Sequence, residues 1–189
     1  MISGVVLAAG TASRFGGTKQ VVVVDGKPLA QHTIDALESA GVGEVIVVTG
    51  YDAVKVASAL TLPPHGRIVY NPAFKDGQAT SLAAAIHALD DESEAAVILM
   101  ADQPGVTSDV ICALVERFRA TRRQVVRAMY EDGPGPSLLS REIYAEAGHL
   151  HGDVGARILI ASHPEWVEEV EVEGRAPLDV DEPADLDGV

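Results

Sequence analysis

The chain has 189 residues, 47% hydrophobic and 22% charged, and its 14 basic and 28 acidic residues give a net charge of −14. This is the size and composition of one full-sized globular domain, and the acidic balance argues against a nucleic-acid-binding face. No apolar run approaches the length of a membrane span, and no signal-peptide pattern precedes the first predicted strand. The single cysteine excludes an internal disulfide. We therefore expect a cytoplasmic protein without nucleic-acid or membrane partners.

The first predicted element is a buried parallel strand, Gly4–Ala8, rich in β-branched residues. The loop that follows, residues 9–19, combines glycines and hydroxyl side chains with Arg14 and Lys19. Glycines let several backbone amides converge on an anion, and the two cations add positive charge where a polyphosphate would lie. The spacing fits neither the Walker loop nor the dinucleotide fingerprint G-x-G-x-x-G, and an ordinary glycine-rich loop is the alternative.

Strand and helix patterns then alternate to the end of the chain, which predicts an α/β fold with a mostly parallel central sheet. The predicted strands cover residues 44–49, 67–70, 95–100, 124–129, 137–140 and 167–172. The predicted helices cover residues 28–41, 53–60, 81–89, 108–118 and 141–147, with another after residue 157. The most apolar strand, 95–100, is expected at the centre and the last strand at an edge, while Gly133–Pro136 is predicted to form a rigid turn. With no repeat and no linker, residues 1–189 are expected to form a single domain.

The stretch from Leu7 to Lys19, LAAGTASRFGGTK, resembles the signature L-A-[AG]-G-x-S-x-R-[MF]-G-x-x-K of the MobA-like NTP transferase family. The resemblance implies a three-layer, Rossmann-like nucleotidyltransferase fold over almost the whole chain. It also implies that the loop binds the phosphates of an NTP through Leu7, Ala8, Ala9, Gly10, Arg14, Gly16 and Lys19. Ala12 stands where the family usually has serine, with a hydroxyl displaced to Ser13, so one side-chain contact to phosphate is in question.

Asp102 directly follows the predicted central strand, in the sequence Met100–Pro104. Ligands of open α/β sheets lie outside the carboxyl ends of the strands, so Asp102 and the first loop would face one crevice. An aspartate here can equally be a turn former. The resemblance implies that this carboxylate binds Mg²⁺ and that Arg14, Lys19 and Asp102 are the catalytic groups.

Asp153 is the candidate for a second metal ligand, because Gly152 and Gly155 flank it and allow close approach of the backbone. The stretch GDVGAR is similar to one in the molybdenum cofactor cytidylyltransferase branch of the family. The alternative is that Asp153 caps the following helix and pairs with Arg157 four residues on.

Asn71 and the segment Gly77–Ser81 resemble the part of these enzymes that recognises base and ribose, with Thr80 and Ser81 suited to reading a cytosine edge. The alternative role for these hydroxyls is capping of the helix predicted to start at Ser81. On the acceptor side, Gly135 and Pro136 resemble a G-H-P stretch, without its histidine and one residue shorter. Gln103 and Arg157 complete the predicted acceptor-binding set.

Two further groups could be interpreted as metal sites. His149 and His151 form an H-x-H pair that lacks a nearby third ligand. In the acidic tail, Asp181 is expected to cap a last short helix that has Pro183 in its first turn.

The resemblance therefore implies Mg²⁺-dependent transfer of CMP from CTP to a phosphorylated acceptor of the molybdopterin type, with release of pyrophosphate and a molybdenum hydroxylase as possible partner. GTP, or another acceptor such as methylerythritol phosphate, would use the same residues. A non-catalytic carrier that delivers cofactor to a molybdenum enzyme is the alternative from another class. An oxidoreductase on this fold is a third alternative, without a dinucleotide fingerprint to support it.

Overall fold

The structure is a computed structural model and describes residues 1–12, 15–152 and 155–188. The strands are β1 (Ile2–Ala8), β2 (Val23–Val24), β3 (Lys27–Pro28), β4 (Glu44–Thr49), β5 (Gly66–Tyr70), β6 (Ala95–Met100), β7 (Val125–Tyr130), β8 (Gly133–Ser140) and β9 (Val167–Glu171). The helices are α1 (Leu29–Ser39), α2 (Ala53–Ala59), α3 (Gln78–Ala88), α4 (Ser108–Thr121), α5 (Tyr144–Gly148) and α6 (Ala156–Ser162). Short 3₁₀ turns cover Lys19–Val21, Phe74–Asp76, Arg141–Ile143, Pro164–Trp166 and Pro183–Gly188.

Seven of these strands form one sheet in the order β5-β4-β1-β6-β8-β7-β9, and β2 pairs with β3 in a separate hairpin. All neighbours in the large sheet are parallel except β8, which runs antiparallel to both β6 and β7. The predicted mostly parallel sheet, the central position of β6 and the edge position of β9 are confirmed. Across the described ranges, no helix is long and apolar enough to cross a membrane.

The sheet is covered on both faces, which is why every residue of β1 is buried. Successive side chains of a strand point to opposite faces. Accordingly, Val6 packs in one cluster with α1 and α4, whereas Val5 and Leu7 pack in a second cluster that includes Ala85 of α3. The three layers place the carboxyl ends of β1, β4 and β6 along one edge of the molecule.

Two predictions in segments that bear on the site are wrong. Gly133–Pro136 is not a rigid turn but the first half of β8. This half pairs with β7, whereas β6 pairs with residues 137–140, and prolines are tolerated in a strand segment that pairs on one side like an edge strand. Helix α3 begins at Gln78 rather than Ser81, after Gly77 with φ of 108°, a conformation that favours glycine.

Candidate functional site

The first loop leaves β1 at the carboxyl edge of the sheet and is closed by its own main chain. The carbonyl of Ala12 accepts hydrogen bonds from the N–H groups of Phe15 and Gly16, at 3.0 and 3.2 Å. Ala12 has φ of 47° and Gly16 has φ of 77°, both in the left-handed region. A serine hydroxyl at position 12 is therefore not needed to hold this turn together.

Gln20 fastens the beginning of the same loop. Its side-chain Nε2 donates to the carbonyls of Ala8 (3.2 Å) and Gly10 (2.9 Å), and the residue is only 2% exposed. Sequence reasoning missed Gln20, because a glutamine after a lysine carries no local signal of what it will bind.

Lys19 lies at the centre of the site, with its ammonium surrounded by acceptors. Its Nζ is 2.7 Å from Oδ2 of Asp102 and 3.0 Å from Oδ1 of Asp181, and it donates to the carbonyl of Val180 at 2.8 Å. Burial lowers the pKa of Lys19, but the hydrogen bonds and charges of the two carboxylates outweigh that effect and raise it above the ordinary value. Lys19 thus keeps its proton throughout the neutral range.

A tail segment around Val180 brings the second carboxylate to Lys19. Val180 is fully buried in a cluster with Val24 and Leu29, and its N–H donates to the carbonyl of Asp102 at 3.0 Å. An extended chain that buries this valine turns the aspartates on either side of it away from the cluster. The alternation Asp-Val-Asp is the sequence signal that could have located Asp181.

The last turn has a side-chain acceptor from Asp185. The backbone N–H groups of Asp181 and Glu182 donate to Oδ2 of Asp185 at 2.8 and 2.7 Å. The Asp181 carboxylate, expected to cap this turn, contacts Lys19.

Gln103 and Asp179 extend the acidic cluster on the rim. Gln103 Nε2 donates to Oδ1 of Asp179 at 2.7 Å. Partial desolvation raises the pKa of Asp179, the hydrogen bond from Gln103 opposes the shift, and the charges of Asp102 and Asp181 add to it. The predicted acceptor residue Gln103 therefore lies close to the predicted metal ligand.

Two adjoining cavities open on this edge. The larger is about 480 Å³ and the smaller about 310 Å³. The larger is lined by Leu7, Ala9, Gly10, Thr11, Phe74, Lys75, Asp76, Gly77, Gln78, Ser81 and Met100. The smaller is lined by Leu7, Gly10, Thr11, Ala12, Lys19, Gln20, Met100, Ala101, Asp102 and Asp181. The loop after β1 and the end of β6 thus form a boundary common to both.

Asn71 is hydrogen-bonded to Ser81, a residue that lines the larger cavity. It is 3% exposed, and its Nδ2 donates to the hydroxyls of Thr80 (2.9 Å) and Ser81 (3.0 Å). Thr80 in turn donates to the carbonyls of Ala73 and Gly77. Ser81 lines the cavity, whereas Asn71 and Thr80 do not. The alternative that these hydroxyls cap a helix starting at Ser81 is wrong, because both lie inside α3.

Within the described part of the chain, none of the four predicted acceptor residues, Gln103 included, lines either cavity. Gly135 lies against Tyr130, and a Cβ at this position would be 2.4 Å from Cε2 of the ring. Pro136 is buried beside it in β8, and Arg157 is exposed at the start of α6. Arg14 and Asp153 lie outside the described residues.

The side chains at the smaller cavity fit a divalent cation. Oδ1 of Asp102 is buried and has no hydrogen-bond donor among the described residues, and Asp181 adds a second carboxylate nearby. Mg²⁺ and Mn²⁺ favour carboxylate oxygens, and Mg²⁺ commonly uses one or two of them together with substrate phosphates. In residues 1–12, 15–152 and 155–188, no three His, Cys, Asp or Glu side chains converge as a metal site, neither around His149 and His151 nor in the tail.

A family model described as a MobA-like NTP transferase domain matches residues 4–167. The chain is 30% identical over 131 residues to a probable molybdenum cofactor guanylyltransferase of Thermococcus sibiricus, covering 69% of this chain and 63% of the relative. It is 30% identical over 132 residues to the bifunctional protein GlmU of Agrobacterium fabrum, covering 69% of this chain and 29% of the relative. The matches thus span less than two thirds of either relative.

Among solved structures, Rv0371c of Mycobacterium tuberculosis H37Rv superposes with a TM-score of 0.88 at 30% identity, covering 99% of this chain and 95% of that one. The manganese complex of the same protein superposes with a TM-score of 0.81 at 29% identity, covering 95% and 91%. The similarity therefore includes β8, β9 and the tail.

Proposed function

We propose, because the chain belongs to the MobA-like NTP transferase family, that it transfers CMP from CTP to a phosphorylated acceptor of the molybdopterin type and releases pyrophosphate. By family and by fold it is a nucleotidyltransferase. The observation that supports the proposal most is the ion pair of buried Lys19 with partly buried Asp102, both of which line the smaller cavity next to the larger one.

In this proposal the nucleoside occupies the larger cavity and the triphosphate occupies the smaller one. The larger cavity offers an aromatic ring, a side-chain amide and a hydroxyl, from Phe74, Gln78 and Ser81. These groups suit a base and a ribose, which combine flat apolar faces with hydrogen-bonding edges. Leu7, Ala8, Ala9, Gly10, Arg14, Gly16 and Lys19 are the proposed contacts to the phosphates, with Asn71, Thr80 and Ser81 on the nucleoside side.

The proposed reaction is an in-line displacement at the α-phosphorus. An oxygen of the acceptor phosphate forms the new P–O bond while the bond to the bridging oxygen of the β-phosphate breaks, and pyrophosphate leaves with that electron pair. An ionised phosphate needs no general base, so positioning and neutralisation of charge supply the catalysis.

Lys19 is suited to this role because its raised pKa keeps it cationic at neutral pH. An ammonium held by two carboxylates can redistribute its hydrogen bonds toward an arriving phosphate oxygen. There it would stabilise the negative charge that develops on the leaving pyrophosphate, with Arg14 as the second proposed cation.

Asp102 and Asp153 are the proposed ligands of Mg²⁺, and Asp181 shares Lys19 with Asp102 on the same side of the cavity. When bound, the ion would neutralise phosphate charge and act as a Lewis acid. The protein's own contribution is to hold the Asp102 carboxylate rigidly, since the main chain of residue 102 is fastened by Val180.

The acceptor is proposed to bind on the side of Gln103, with Gly135, Pro136 and Arg157 as further contacts. Gln103 supports this placement because it lies one residue from Asp102 and is oriented by Asp179. A single domain over residues 1–189, a cytoplasmic location and delivery of the product to a molybdenum hydroxylase complete the proposal.

Pyrophosphate release in the presence of Mg²⁺, each of the four NTPs in turn and molybdenum cofactor as acceptor tests the proposal. We expect release with CTP, and we expect Asp102→Ala to lower the rate by three orders of magnitude or more, roughly, because it removes a metal ligand and a partner of Lys19. The stability of the variant, followed by thermal unfolding, is the control. Release that Asp102→Ala leaves unchanged would contradict the assigned site.

Transfer of GMP from GTP is the second candidate, favoured by the similarity to the probable guanylyltransferase of Thermococcus sibiricus. Release with GTP alone would keep the mechanism and replace the base. NTP binding without release, together with undiminished delivery of cofactor to a molybdenum enzyme by Asp102→Ala, would instead support a carrier.

A further inference from the structure

The turn after β4, residues 50–52, lies directly behind the first loop and contacts both of its ends. The N–H of Tyr51 donates to the carbonyl of Ala9 at 3.2 Å. At the other end, the hydroxyl of Thr18 donates to Oδ2 of Asp52 at 2.6 Å. Gly50 packs closely against Phe74 and Ala9, since a Cβ there would lie 2.5 Å from the Cβ of Phe74 and 2.9 Å from the Cβ of Ala9. One turn therefore connects to the start and the end of the loop.

Thr18 and Asp52 are both residue types that usually cap the helix they precede, and both stand in that position. Thr18 precedes the 3₁₀ turn Lys19–Val21, and Asp52 precedes α2. Within the described residues, neither side chain makes the cap hydrogen bond to its own helix. The two side chains bind each other across 34 positions of sequence instead.

The backbone of Asp52 shows that this geometry is demanding. Asp52 has φ of 51° and ψ of 37°, a left-handed conformation that glycine, asparagine and aspartate adopt more readily than other residues. Thr18 is 7% exposed, so its hydroxyl depends on a protein acceptor. A short hydrogen bond from a buried hydroxyl to a carboxylate belongs to the stronger class.

We infer that Asp52 is a positioning residue for the phosphate end of the site: it binds Thr18 and thereby fixes Lys19 against Asp102. We call the hydrogen-bonded pair of Thr18 and Asp52 the clasp. In this inference neither residue contacts the reacting atoms. This inference rests on the proposed function, in which Lys19 contacts the triphosphate. The clasp acts on the binding of every NTP equally, because it touches neither base nor acceptor.

Three substitutions separate the clasp from its surroundings. Asp52→Gly removes the carboxylate and keeps the left-handed backbone, Asp52→Asn keeps an acceptor for the Thr18 hydroxyl, and Thr18→Val removes the donor with little change of shape. Lys55→Gln is the matched control. Lys55 Nζ is 4.0 Å from the same Oδ2 atom on the exposed side of α2, so its loss tests whether the charge pair matters.

The first measurement is kcat and KM for pyrophosphate release with CTP and Mg²⁺. We expect Asp52→Gly and Thr18→Val each to lower kcat/KM about tenfold, mainly through KM, and the double variant to be no worse than the more impaired single one. Asp52→Asn and Lys55→Gln should remain within about twofold of the wild type. Additive losses, or an equal loss in Asp52→Asn and Asp52→Gly, would overturn the clasp.

The second measurement is amide hydrogen exchange of residues 15–21 in the ligand-free protein, which needs no activity. Exchange there should accelerate in Asp52→Gly and Thr18→Val and stay unchanged in Asp52→Asn and Lys55→Gln. If the wild type releases no pyrophosphate with any NTP, the proposed function fails while this comparison still decides the clasp. Unchanged exchange in Asp52→Gly would refute the clasp even if the enzyme is active.

Discussion

Two carboxylates, one buried and one partly buried, lie at opposite ends of the parallel part of the sheet, and their surroundings differ. Glu44 begins β4, is 4% exposed, and its Oε1 accepts from the Ser3 hydroxyl at 2.7 Å and the Asp90 N–H at 2.9 Å. Its Oε2 is 3.2 Å from Nη2 of Arg67. Asp102 follows β6 and faces a cavity, with Oδ2 on Lys19 and Oδ1 without a donor among the described residues.

The difference separates a structural cluster from the cluster at the proposed site of reaction. The Glu44 cluster is surrounded by protein groups: Oε2 has the ion pair with Arg67 but no hydrogen-bond donor among the described residues, and the Ser3 hydroxyl also lies 2.7 Å from that of Ser93, which shares a hydrogen bond with Tyr144. Such a network rigidifies the strand starts, and Glu44 lines neither of the two cavities. The Lys19 cluster balances charge with charge and leaves an acceptor unused beside a cavity, which is the arrangement that a cation and a phosphate can enter.

Removal of the ammonium of Lys19 should affect kcat/KM more than any change in the Glu44 cluster. We expect Lys19→Met to lower kcat/KM for pyrophosphate release by about two to three orders of magnitude, because the charge on the leaving group loses a preorganised donor. Lys27→Met, at a half-exposed lysine in β3, is the control and should remain near wild type. Wild-type kinetics in Lys19→Met would contradict the proposed role of the Lys19 cluster, which would then be structural like the Glu44 cluster.

Removal of the carboxylate of Glu44 should act on stability instead. Glu44→Ala leaves the Asp90 N–H without its acceptor and Arg67 without its ion pair, and we expect it to lower the free energy of unfolding by about 3 kcal/mol. Urea denaturation measures this, with exposed Glu38→Ala as the control. The folded fraction of Glu44→Ala should keep its kcat/KM; a large kinetic defect without loss of stability would assign the cluster a functional role.

Alkaline pH should lower the free energy of unfolding by a smaller amount, through the phenol of Tyr144 in the Glu44 cluster. Burial raises the pKa of Tyr144 from 10.0 to about 12, so the folded protein keeps the phenol neutral where the unfolded chain ionises. This contribution to stability is complete below pH 10 and is lost as the pH rises toward 12. The loss should reach about 2 kcal/mol across that window.

Urea denaturation at a series of pH values measures the effect, and Tyr144→Phe is the variant to compare. The decline of stability from pH 10 to 12 should be shallower in Tyr144→Phe, since Lys19 and Tyr130, whose pKa values are also raised, remain in both proteins. Equal slopes in the two proteins would show that the phenol titrates normally and that the Glu44 cluster is open to water.

Local sequence was sufficient for the elements whose pattern is self-contained. The strands Glu44–Thr49 and Ala95–Met100 begin and end at the predicted residues, because a continuous β-branched or apolar run specifies a strand buried on both faces. The same reasoning placed Lys19 and Asp102 at one edge, since parallel strands share their carboxyl end. Prediction from local sequence failed where a distant partner decides the structure. Residues 133–136 form a strand because they pair with β7.

The sequence by itself determined the wound α/β architecture, the family resemblance and the two charged residues at the centre of the site. Only the tertiary structure decided that Asp181, 162 positions from Lys19, shares its ammonium, and that Thr18 binds Asp52 rather than capping its own helix. The physical reason is that strand and helix preferences are encoded in neighbouring residues. The partner of a buried charge or hydroxyl, in contrast, depends on which distant segments the packed core brings within hydrogen-bond distance.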